Sequence, residues 1–142
     1  MAKHVFFFFL TIIWFNNIYG QSIVGQWKTI DDESGHAKSI IEITEKNGVY
    51  SGKVVKLLQD AATSVCSRCS GDQKNKPIVG MVVLKDLVTF KDYWSSGKIM
   101  DPKNGTTYGC SVWFEKKDYT KLHVRGKHWT GLFRDQIWYK IK

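Results

Sequence analysis

From residue 23 onward the chain alternates apolar and polar positions in short runs separated by turn residues. That period of two predicts strands. The runs cover 23–30, 39–44, 49–58, 77–87, 93–100, 106–115, 121–129 and 135–141. Asn47-Gly48 marks a tight turn between the second and third, because both residues accept φ > 0. Asp101-Pro102-Lys103-Asn104-Gly105 marks another, with proline presetting φ and glycine taking the left-handed position. The pattern over 84–94 is mixed and allows one helical turn. Only one connection is long, 59–76, rich in Ser, Asp, Gly and Lys, and it is the candidate functional or mobile loop. Eight strands at this spacing predict an all-β meander. Closing it on itself removes its edges, so the expected fold is an eight-stranded antiparallel up-and-down barrel.

Parity along each run predicts which side chains point inward. Trp27 shares a face with Ile23 and Gly25. Tyr108, Cys110, Val112 and Phe114 share another, and so do Leu122, Val124 and Gly126, with Lys121, His123, Arg125 and Lys127 opposite. In the last run the apolar set is Ile137, Tyr139 and Ile141, which places Trp138 outside.

The first twenty residues do not fit the strand pattern. Lys3 precedes an uncharged apolar run over 5–15, broken by Asn16-Asn17 and followed by Tyr19-Gly20. This is the layout of a secretory signal peptide, and eleven apolar residues are short of the roughly 20 that a spanning helix needs. The expectation is an exported protein, periplasmic or secreted, with residues 1–20 as signal peptide and 21–142 as one domain. The net charge of +8 becomes +7 once Lys3 is removed, 20 cations against 13 acids. Those cations are interleaved with acids (Lys85-Asp86, Lys91-Asp92, Glu115-Lys116-Lys117-Asp118), which argues against a nucleic-acid patch and leaves weak attraction to anionic surfaces or small anions.

The three cysteines are Cys66, Cys69 and Cys110. Cys66-Ser67-Arg68-Cys69 in the long connection allows a redox dithiol, a zinc site, free thiols or a structural disulfide. The βαβ context of a redox motif is missing, and no second ligand pair provides four zinc ligands. An oxidising compartment favours a disulfide. Pairing Cys66 with Cys69, or one of them with Cys110, are both open, the former preferred. No metal and no cofactor is expected. No serine, histidine and aspartate stand in a nucleophile-elbow order, Asp31-Asp32-Glu33 reads as a solvated turn, and His123 reads as a solvent-facing histidine; the chain leans away from being an enzyme.

Gly25-Gln26-Trp27 at the first strand and Arg134 before the last resemble the Gly-x-Trp and late arginine of the lipocalin and calycin barrels. That resemblance implies that Gly25, Trp27 and Arg134 close the barrel, with the guanidinium on the indole. A second resemblance covers nearly all of 21–142. The segments at 23–29, 75–81, 97–108, 122–126 and 134–139, among them Ile-Val-Gly-Gln-Trp-Lys-Thr and Gly-Lys-Ile-Met-Asp-Pro-Lys-Asn-Gly-Thr-Thr-Tyr, are similar to the bacterial family called domain of unknown function 2147. It implies an exported bacterial protein and no known activity. Lys127-His128-Trp129 stands where the family is expected to carry an aromatic directly after Arg-Gly, so no site is carried to that corner.

A lipocalin-like barrel has room for side chains or one small ligand. The leading expectation is a binding module for a small, partly apolar or anionic molecule, with Tyr108, Val124 and Arg125 as ligand-binding candidates. Arg125 is the counter-charge if its face turns inward. The alternatives are a structural or interaction protein of the cell envelope and an enzyme of unknown chemistry.

Overall fold

The computed structural model describes residues 20–59 and 64–141. The expected signal peptide, apart from Gly20, lies outside the described residues. Eight antiparallel strands follow in chain order: β1 (Gly25–Ile30), β2 (Ala37–Lys46), β3 (Val49–Leu57), β4 (Val82–Phe90), β5 (Tyr93–Asp101), β6 (Thr106–Glu115), β7 (Asp118–Lys127) and β8 (Phe133–Lys140). Each pairs with the next, and β8 returns to β1 to close the barrel. The seam is brief, with Trp27 opposite Lys140 and Lys28 opposite Tyr139, extended by the Ile141 N–H donating to the Gln26 carbonyl at 2.8 Å.

Hairpins at one end are tight. Asn47 and Gly48 turn with φ of 52° and 80°, as the Asn-Gly pair predicts, and Lys91 and Lys117 take φ of 57° and 61° in the turns after β4 and β6. The connections at the other end are longer, over 31–36, 58–81, 102–105 and 128–132. The chain therefore makes one end compact and gives the other four loops.

The compact end holds the aromatic part of the core. Trp27 and Ile23 are fully buried, and the Trp27 indole N–H donates to the Ile23 carbonyl at 2.8 Å. The residues before β1 thus plug the barrel. Phe114 lies between the rings of Trp27 and Trp94, with centroids 6.2 and 5.7 Å away, and Leu87, Val112 and Leu122 pack around them. Apolar burial of this kind is the main stabilising term of the fold.

Two strand assignments differ from the sequence pattern. β4 begins at Val82, not at residue 77, because Pro77 pairs with Val65 inside the long connection. The helical turn allowed over 84–94 is absent: the irregularity there is a pair of facing bulges. Register runs Lys85 to Lys98 and resumes at Val88 to Ser95, with Asp86 and Ser96 at φ of 62° and 60°. The bulges bring Leu87 onto Gly97 so closely that a Cβ on Gly97 would lie 2.6 Å from the leucine side chain.

Inward parity holds as expected in β1, β6 and β7 and is reversed in β8. Trp138 is buried, with 1% of its surface exposed, while Tyr139 and Ile141 are exposed. The apolar set of β8 therefore faces out, and Arg134, Gln136 and Trp138 face in. The reversal follows from what lies inside at that end of the barrel.

Candidate functional site

Above the aromatic plug the barrel is hollow. A cavity of about 530 Å³ opens among three of the four longer loops, those over 31–36, 58–81 and 102–105. Its walls are aliphatic at mid-barrel, with Ile41, Val54, Val83, Ile99 and Val124, and Trp138 and Tyr108 add aromatic surface. Thr29 Oγ1 and Ser39 Oγ, both buried, lie 2.7 Å apart across β1 and β2.

One polar chain climbs the wall from depth to rim. The Trp138 indole N–H donates to Gln136 Oε1 at 3.2 Å, and Gln136 Nε2 donates to Asp32 Oδ2 at 3.0 Å. Arg134 Nε meets the same Asp32 oxygen at 3.0 Å, while its Nη2 lies 3.8 Å from Asp101 Oδ2. Lys38 Nζ stands 3.9 Å from the other Asp101 oxygen. Four elements of the sequence, the β1–β2 loop, β2, β5 and β8, thus meet at the mouth through charge. Lys103 pairs with Glu33 at 3.1 Å on the outer rim, which holds the lysine above its ordinary pKa. Asp31 sits below the usual carboxylate range, chiefly because the Ser34 backbone N–H donates to its carboxylate.

The long connection leans on this mouth. Ser64, Val65, Ser67 and Ile78 line the cavity. Cys66 and Cys69 form a disulfide with Cα atoms 5.4 Å apart, and Cys110 is a buried free thiol whose pKa burial pushes up to about 12. Of the open pairings the adjacent one is therefore present. The disulfide loop rests on the 101–105 turn, where Gly105 at φ 72° comes so close to the Arg68 carbonyl that a Cβ there would lie 2.0 Å from its oxygen. Asp101, Pro102 and Gly105 form the expected turn, and Asp101 and Pro102 also line the cavity.

One residue stands where the sequence reading did not put it, and a second takes the outward face that its parity favoured. Arg134 does not pack on Trp27. It belongs to the charged mouth at the opposite end, and the Trp27 ring is faced instead by Lys140, whose Nζ is 5.7 Å from the ring centroid. Six positions separate Arg134 from Lys140 along a strand that rises ~3.4 Å per residue, so one side chain cannot serve both ends. Arg125 is outside the barrel, as its parity favoured, and provides no counter-charge to the cavity. Its guanidinium is bidentate to Asp135 at 2.6 and 2.7 Å and lies over Trp113 and Phe133, 5.2 and 4.2 Å from their centroids. Of the three ligand-binding candidates, Tyr108 and Val124 line the cavity and Arg125 does not.

Sequence reasoning missed Thr29, Lys38, Ser39, Asp101, Gln136 and Trp138 as cavity residues. One signal could have found some of them: Thr29, Ser39 and Gln136 share the parity of Trp27, Ile41 and Trp138, so polar residues sit on core-facing positions at the same end of three strands. Among the described residues no three His, Cys, Asp or Glu side chains converge as a metal site.

A closed eight-stranded barrel, plugged at the end where the chain enters and hollow at the other, is a lipocalin-like fold. Its backbone is similar to that of a solved structure described as protein HP1028 from the human pathogen Helicobacter pylori, which belongs to the lipocalin family. The TM-score is 0.73 over 85% of this chain and 84% of that one, at 18% sequence identity. The chain itself belongs to the family described as an uncharacterized protein conserved in bacteria, DUF2147, whose model matches residues 25–140. No curated protein matches the chain.

Proposed function

We propose that this protein is an exported binder of a small amphiphile, its apolar part held in the barrel and an anionic head at the mouth. The observation that carries this reading is the cavity: about 530 Å³, aliphatic in its middle and charged at its rim. That volume falls within the roughly 300–1,000 Å³ of small-molecule sites, and apolar walls with a few placed polar groups are their usual make-up. The head-group assignment comes from the rim. Asp101 holds Lys38 and Arg134 only at 3.9 and 3.8 Å, and Asp32 takes only the Nε of Arg134, so the lysine ammonium and the guanidinium Nη groups keep donors free for a further acceptor.

The test is titration with a naturally fluorescent polyene fatty acid and with its methyl ester. The acid should bind saturably, one per chain. Val83→Phe with Val124→Phe should fill the cavity and abolish binding while the melting transition remains cooperative. Arg134→Met should weaken the acid about tenfold and leave the ester nearly unchanged, as expected for loss of one charge-assisted contact. Binding that survives the filled cavity would remove this reading.

A further inference from the structure

The outer surface carries a second feature that the cavity does not use. The β7–β8 hairpin, at the mouth end, displays Trp129, Leu132 and Phe133 at 89%, 74% and 60% exposure. The turn that holds them is ordered. His128 N–H donates to the Leu132 carbonyl at 2.7 Å, Gly131 N–H to the His128 carbonyl at 2.9 Å, and His128 Nδ1 lies 2.8 Å from Thr130 Oγ1. Trp129 and Leu132, held out into water by this turn, and Phe133, whose ring is covered on one side by the Arg125 guanidinium, cost free energy unless something covers them.

Beside this tip runs a row of cations. Register places Lys85 opposite Lys98, Lys98 opposite Gly109, Gly109 opposite Lys127, and Lys127 opposite Phe133. Directly opposed residues share a face of the sheet, so Lys85, Lys98 and Lys127 project outward in one line across β4 to β7 and end at the apolar tip. All three are exposed. The one gap is a glycine, so nothing but hydrogen fills the space between the second and third lysines. Among the described residues none of the three has a carboxylate partner within ion-pair distance, whereas Lys38, Lys103 and Lys121 all do. Like charges facing each other across a strand pair destabilise a sheet, so the row points to an external anion.

We infer that the Lys85–Lys98–Lys127 row and the Trp129–Leu132–Phe133 tip together form a docking face for an anionic lipid bilayer. The two halves suit the two layers of such a surface. Lysines gain from the negative potential at the head groups, which a chain carrying a net charge of +8 is suited to meet. A protruding tryptophan with two apolar neighbours gains from the boundary between head groups and acyl chains. The charge explains why the partner is anionic, and the apolar tip explains why it is a bilayer rather than a soluble polyanion. The face needs no ligand in the barrel.

Vesicle sedimentation tests it, with protein recovered from the exported fraction of producing cells. The wild type should pellet with vesicles of equimolar phosphatidylglycerol and phosphatidylcholine and much less with phosphatidylcholine alone. Replacing each lysine should weaken the partition about fivefold, so K85Q/K98Q/K127Q should lose about a hundredfold. W129S/L132S should lose at least tenfold. In the unaltered protein, brominated acyl chains should quench a tryptophan emission that is absent from W129F. That readout stands even where a multiple variant folds poorly. Equal partition of wild type and both variants, or no partition at all, would overturn the proposal. So would retention on immobilised heparin by wild type and W129S/L132S alike without vesicle binding. A concentration-dependent sedimentation coefficient that disappears in W129S/L132S, again without vesicle binding, would give the tip to a second copy of the chain instead.

Discussion

The two ends of this barrel are made by the same eight strands and differ in almost everything else. At the plugged end, hairpins of two residues join the strands, and Trp27, Trp94, Phe114 and Leu122 fill the interior. At the mouth, longer loops join the strands, and the inward positions carry Thr29, Ser39, Asp101, Arg134 and Gln136 around empty space. The difference teaches that the packed core and the cavity are separated along each strand rather than between strands. A strand contributes to the core with one half and to the cavity with the other, so the two can be altered independently.

That separation can be broken most severely at the plug. Trp27→Ala should remove the floor of the fully buried aromatic group and cost about 3–5 kcal/mol, read as a large drop in melting temperature. A drop no larger than that of a rim substitution would erase the distinction between the ends. Gly105→Val tests the mouth at its tightest contact. The left-handed φ of 72° and the Arg68 carbonyl 2.0 Å from the new Cβ should cost roughly 1–3 kcal/mol. The loss should come with faster proteolysis of 64–81 while the plug remains protected in hydrogen exchange. The smallest effect belongs to Arg134→Met, whose partly exposed ion pairs contribute about 1 kcal/mol or less. In a double-mutant cycle with Trp27→Leu it should be additive within about 0.5 kcal/mol, because the two residues belong to opposite ends. A larger coupling would show that the ends communicate.

The fold was legible because alternation is a property of the barrel as a whole. Runs such as Thr106 to Glu115 carry apolar residues on one parity over their full length, and Asn47-Gly48 fixed a turn by backbone sterics alone. The site was legible only where it overlapped that logic, at Tyr108 and Val124. β8 shows why the rest was hidden. Its inward parity reads Arg134, Gln136, Trp138, a polar set by composition, and its outward parity reads Ile137, Tyr139, Ile141. Hydrophobicity alone selects the second. A cavity inverts the rule that apolar faces point in, because side chains on its wall can pair with polar neighbours at the mouth, as Gln136 does with Asp32. Trp27 of the Gly-x-Trp signature lies in the plug, while the late arginine attached to it belongs to the rim, and Lys140 faces the indole instead. The turn at 101–105 was recognised from its backbone chemistry. Its second use, presenting Asp101 to two cations, depends on neighbours brought by β2 and β8 and is invisible to any local window.

The brief seam between β1 and β8 sets the order in which the protein is completed. Every other strand pairs with its sequence neighbour, but Trp27 waits for Lys140 and Lys28 for Tyr139. Contacts of such long sequence separation form late, because the loop entropy of the whole chain is lost before they return anything. A chain emerging amino end first therefore holds its first strand unpaired on one edge until the last residues arrive. Thr29 lies on one side of that seam and Gln136 and Trp138 on the other, so the cavity wall is assembled only by the final act of closure. Before that closure the strands and turns can stand, but the cavity has no complete wall, so an intact cavity reports on a seam of two residue pairs.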